Sequence, residues 1–165
     1  MRYSVRIGWA EAPLARFVDD ARVQLAVLMY PTGHVLAQVG FKRSIDVQTA
    51  CALSAAIHAS ASHLGSMVDG APFRGLHHAG EARQLWLGEI LLSTGSLVLL
   101  AVFDAESSLG IVQLYVEELR AAVAFAAPAP EAETPALADD FEHDLNHNLA
   151  HLFGREPRHR PPVLP

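Results

Sequence analysis

The chain has 165 residues, 51% of them hydrophobic and 18% charged, with a formal net charge of −6. That length suits one domain with appendages, and the apolar share supplies a real core. An acidic balance, with pI near 5.8, argues against nucleic-acid backbones and anionic membrane surfaces as partners.

Cys51 is the single cysteine, which rules out an intrachain disulfide and a cysteine zinc cage. Every basic residue except Lys42 is arginine, a bias that together with abundant Ala, Leu and Pro points to a GC-rich bacterial source. The N-terminal run MRYSVRIGWAEAP has no apolar signal core, so the expected compartment is the cytoplasm.

Residues 3–7 alternate weakly and suggest a short strand. Pro13 suits the first turn of a helix whose apolar stripe is Leu14, Phe17 and Val18, ending near Asp20. VQLAVLMY (23–30) and HVLAQVG (34–40) read as strands joined by a turn at Pro31-Thr32-Gly33. Asp46 is placed to cap a helix that Asp69-Gly70-Ala71-Pro72 ends.

From Val47 to Val68 this helix contains no Asp, Glu, Lys or Arg. At 100° per residue, Ala50, Leu53, Ile57, Leu64 and Val68 share one side, which predicts the core face. The opposite side carries Gln48, Ala52, Ala55, Ala59, Ser62 and Ser66, flanked by Cys51, His58 and His63. A solvated back normally bears charge, so a small and neutral one predicts cover by a second helix or a partner. The uncharged run is long enough for a membrane span. Gln48, Thr49, Ser54, Ser60, Ser62, Ser66 and two histidines make that costly, and no basic cluster flanks it.

LHHAG (76–80), RQLWLGEILL (83–92) and SLVLLAVFD (96–104) are further strands, the last two joined at Ser93-Thr94-Gly95. The continuous apolar run from Leu97 to Phe103 predicts a central strand covered on both faces. Ser107 or Ser108 caps a last core helix running to about Phe125, with Ile111, Leu114, Tyr115, Leu119, Ala122 and Val123 near a 3.6 period. Trp9 and Trp86 read as packing residues. AAPAPEAETPALA (126–138) is a linker. DDFEHDLNHNLAHLF (139–153) is an amphipathic helix with Phe141, Leu145, Leu149 and Leu152 on one stripe, and 154–165 is a disordered tail.

The glycines sit in turns and form no phosphate loop, and no Ser/His/Asp order or carboxylate pair has local support. No catalytic residue and no cofactor is expected. His143, His147 and His151 recur at i, i+4 and suit zinc or nickel, but one helix after a linker supplies no closing shell, so no metal site is assigned. His77 and His78, adjacent in a strand, point to opposite faces and share no metal.

The hairpin VLMYPTGHVLAQVG, the Asp46-led alanine-rich helix, FRGLHHAGEARQLWLGEILL and LVLLAVFDAESSLGIVQL stand in an order that resembles the roadblock (dynein light-chain type) domain. Within that family the chain is similar to the bacterial MglB-type gliding and polarity regulators. The likeness covers about residues 14–125, and the run from Phe103 to Leu114 is its most specific part. It implies an α/β (α+β) fold over residues 1–125, αββαβββα, with a five-stranded mixed sheet between the long central helix and the terminal helices. It further implies a homodimer with sheets joined edge to edge and long helices side by side, receiving a small Ras-like GTPase of the MglA type. The resemblance also implies that hydrolysis is stimulated by positioning the GTPase's own residues, and a long helix without an arginine finger agrees with that. The tail helix at Phe141, Leu145, Leu149 and Leu152 would touch the dimer or the partner.

Overall fold

Turn chemistry sets the strand pairs. In the computed structural model, which describes residues 8–40 and 46–129, strands β1 (Leu25–Met29) and β2 (Val35–Gly40) flank the Pro31-Thr32-Gly33 turn. Gly33 takes φ 88°, a left-handed value that glycine adopts without a Cβ penalty, and donates its N–H to the Tyr30 carbonyl at 2.8 Å. Strands β3 (Gly75–Ala79), β4 (Gln84–Leu92) and β5 (Gly95–Phe103) form a meander, its second turn closing where Leu92 pairs with Gly95.

β5 then pairs with β1 along its length, Val102 opposite Leu25 and Val98 opposite Met29. The order across the sheet is β2-β1-β5-β4-β3. Every pairing is antiparallel, which corrects the mixed sheet expected above. A helical crossover does connect two strands of like direction, β2 and β3. Those strands lie at opposite edges of the sheet, so the crossover creates no parallel neighbours.

β5 is buried as its unbroken apolar run predicts. Leu97, Leu99, Ala101 and Phe103 join the core on one face, and Val98, Leu100 and Val102 join the core on the other. Helices α1 (Gly8–Ala21) and α3 (Leu109–Ala126) cover the first face. α1 contributes Ala10, Leu14, Phe17 and Ala21; α3 contributes Val112, Val116, Leu119 and Val123. Trp86 lies there too, over a glycine bed: a Cβ on Gly75 would stand 2.7 Å from its ring Cζ2.

Two helix details differ from the sequence reading. α1 starts at Gly8 and holds Pro13 inside it, because Ala10 and Leu14, one turn apart and both fully buried, anchor the earlier turn. α3 is rotated: Ile111 and Leu114 are outside, at 39% and 60% exposure. The sheet already presents Phe103, Trp86 and Ile90 to this layer, so valine-sized side chains fill what room remains.

The junction before α3 is tied to the end of α1. Ser107 Oγ donates to the Ala21 carbonyl at 2.6 Å, Gln24 Nε2 donates to Asp104, and Ser108 caps α3 by accepting from the Ile111 N–H. α1 itself ends with Arg22 at φ 51° and the Val23 N–H bonded back to the Val18 carbonyl at 3.2 Å, a left-handed helix stop. The strand expected at 3–7, most of the linker, the helix at 139–153 with its histidines, and the tail lie outside the described residues.

Candidate functional site

α2 (Val47–Asp69) crosses the second face of the sheet. Its start is fixed by Asp46, whose Oδ1 accepts from the Gln48 and Thr49 N–H groups at 3.2 and 3.3 Å and whose Oδ2 accepts from Thr49 Oγ1 at 2.6 Å. The Thr49 hydroxyl, then its N–H, holds this carboxyl below the ordinary 3.8, with Gln48 adding to it. Gly70, at φ 71°, ends the helix.

The helix is rotated about its axis from the orientation expected above. Cys51, Ser54, Ala55 and Gly65 are buried, and His58 and Ser62 are half-buried. Leu53, Ile57, Leu64, Met67 and Val68 stand 45% to 73% exposed. Of the expected partner face, Gln48, Ala52, Ala59, His63 and Ser66 are exposed. Cys51, Ala55, His58 and Ser62 instead turn toward the sheet and are withdrawn from it.

The cause lies in the sheet. On this face it already presents Leu25, Val27, Met29, Leu87, Val98, Leu100 and Val102, so the helix fits only by approaching with small side chains. Gly33 shows how closely: a Cβ there would stand 3.4 Å from Ala52 Cα and the Cys51 carbonyl oxygen. A Cβ on Gly65 would stand 2.6 Å from the Phe73 nitrogen. The depression left beside His58, Ser62, Phe73 and Leu76 holds about 10 Å³, about the room of one water. Burial pushes the Cys51 thiol up to about 11, making it a packing group and not a nucleophile.

What α2 leaves outside is an apolar ridge. Leu53, Ile57, Ser60, Leu64 and Met67 follow one another at spacings of four and three, the interval that lines up a helix–helix seam. The sequence reading missed this ridge because large apolar side chains are usually buried. The signal available was the seam spacing itself, together with Gly65 on the small side. β3 adds a second open feature. It is an edge strand, mostly exposed, with no charged residue or proline to block pairing.

The remaining polar clusters are occupied locally. His77 Nε2 donates to Gln84 Oε1 at 2.8 Å, and its ring stacks on Phe103 with centroids 6.1 Å apart. Among the described residues, no three His, Cys, Asp or Glu side chains group as a metal site. None of the described helices is long and apolar enough to cross a membrane.

Solved structures share this architecture. Gliding protein MglB from Thermus thermophilus matches with TM-score 0.66 and 25% identity, over 77% of this chain and 94% of that one. A structure described as MglB with tetrameric arrangement matches with the same score and identity, over 77% and 93%. The fold is that of a roadblock domain, most like MglB. The Roadblock/LC7 domain from Streptomyces avermitilis shares the fold at TM-score 0.57 and 18% identity, over 72% of this chain and 94% of that one. No protein-family model and no curated protein matches the sequence. On the α2 side of this fold, then, the ridge of α2 and the edge of β3 are left open.

Proposed function

We propose that this roadblock protein is a homodimeric regulator of a small Ras-like GTPase of the MglA type, serving bacterial motility or polarity. The observation that carries the reading is the outward face of α2. Leu53, Ile57, Leu64, Met67 and Val68 are open to water on a helix without charge from Val47 to Val68. A neutral ridge meets its own copy across a two-fold axis without like-charge repulsion. With the axis near Ser60, Leu53 faces the partner subunit's Met67. The uncharged β3 edge extends the same contact by joining the two sheets.

Paired helices of this kind form the platform for the GTPase, flanked by Gln48, Ala52, Ala59, His63 and Ser66. α2 holds no arginine, so the protein offers no finger from its platform. It acts on hydrolysis by holding the GTPase's own groups in place, a positioning effect. It has no active site of its own in this reading.

The test is single-turnover phosphate release from a GTP-loaded MglA-type GTPase with rising amounts of the protein. The expected result is acceleration of about tenfold or more, short of what an arginine finger supplies, abolished by Ile57→Asp. Binding with an unchanged rate makes the protein a scaffold and contradicts the regulatory reading.

A further inference from the structure

We infer that the outer face of α1 and α3, on the far side of the sheet from α2, is a second docking surface that takes a basic amphipathic helix of another protein. A cleft of about 110 Å³ opens between these helices, with Phe17 and Leu119 at its floor and Pro13, Tyr115 and Ala122 among its walls. That volume matches one medium-sized apolar side chain. Both floor residues are almost fully buried, so the floor belongs to the core, while Arg16, Asp20 and Glu118 complete the rim.

Beside it, α3 turns Ile111, Leu114 and Phe125 outward, at 39%, 60% and 95% exposure. With Ala122 they mark one outer side of α3, broken between Leu114 and Ala122 by Glu118 and long enough for several turns of a docked helix. Nothing in the fold requires these side chains to be large. Val112, Val116, Leu119 and Val123 already satisfy the core.

Charge selects the occupant. α1 and α3 carry Glu11, Asp19, Asp20, Glu117 and Glu118 against only Arg16 and Arg120. Arg16 is engaged with Asp20 at 3.3 Å, and Arg120 with Glu117 at 2.8 Å. Glu118 is left at the cleft rim. A second copy of this chain would bring the same acidic surface and be repelled. A helix with an apolar stripe and lysine or arginine along its border fits both the cleft and the rim. Because the sheet separates this surface from α2, both can be occupied at once.

The experiment uses the full chain and a fluorescein-labelled amphipathic Leu/Lys helix, with the same peptide carrying Glu for Lys as its counterpart, read by anisotropy. The Leu/Lys peptide is expected to bind at least about tenfold tighter than the Leu/Glu peptide. Ala122→Phe, which fills the cleft without changing charge, and Glu118→Lys should each weaken it by about tenfold, the loss of one anchor. Leu64→Asp on α2 should leave it unchanged. Equal binding of the two peptides overturns the inference, as does binding that survives Ala122→Phe or is lost in Leu64→Asp. A change of molar mass in Ala122→Phe would assign the cleft to contact between copies and overturn it equally. Both cleft substitutions are at exposed positions, and circular dichroism verifies their folding.

Discussion

Ala55 and Ala59 lie one turn apart on α2, yet they do different jobs. Ala55 is 9% exposed and faces the turn between β1 and β2, where a Cβ on Gly33 would stand 3.5 Å from its own Cβ. Ala59 is exposed. An arginine at 55 has to force a long charged side chain between α2 and this turn, at a site almost closed to water. Burial of an unpaired charge is among the few causes of very large losses, here about 4 kcal/mol or more. Ala55→Arg is therefore expected to be unfolded or nearly so by circular dichroism and thermal melting, while Ala59→Arg melts close to the wild type. Equal tolerance at the two positions would mean that α2 is turned differently. Cys51 makes the same point without mutation, since burial alone keeps its thiol protonated.

At the scale of the element, α2 shows what sequence can and cannot settle. Its ends were legible because they are local chemistry. Asp46 offers oxygens to the first N–H groups, and Gly70 accepts the left-handed stop that other residues resist. Its rotation was not legible, because it depends on what the sheet presents. Seven bulky side chains on the facing strands force the small side of the helix inward, and the spacing of Leu53, Ile57, Leu64 and Met67 by itself does not say whether that side meets a sheet or another helix. The same holds for α3, where Ile111 and Leu114 match the helical period but the packed phase is that of Val112 and Val116. The cap itself gives a pH dependence. Asp46 is held below 3.8 by its bonds to Thr49 and then Gln48. Its contribution is thus fully present above 3.8 and is lost as pH falls through the lowered value. The Tm difference between wild type and Asp46→Ala is expected to be constant from neutral pH to about 5 and to shrink below 3.8. A gap that widens on acidification would contradict the hydrogen bonds described here.

At the scale of the whole molecule, the two hairpins were readable from Gly33 and the Ser93-Thr94-Gly95 turn, and β5 from its unbroken apolar run. The antiparallel closure of β1 on β5 was not, because it joins residues far apart in sequence and leaves no local mark. The result is a sheet with two differently finished sides. One is sealed by α1 and α3, whose outer face sets Ile111, Leu114 and Phe125 among acidic groups. The other is sealed by the small face of α2, which pushes an uncharged apolar ridge into water. Unburied apolar side chains set in a row cost free energy until another surface covers them, so this arrangement makes sense as an interface and poorly as a free surface.

The most direct measurement of that claim is the molar mass of the full chain by light scattering, for wild type and Leu64→Asp at matched concentration, in low and high salt. The wild type is expected as a dimer or larger in both salts, since a neutral contact gains little from screened charge. Leu64→Asp is expected as a folded monomer. A wild type that runs as a monomer at high concentration, or a Leu64→Asp variant with unchanged mass, would contradict the assignment of α2's outward ridge.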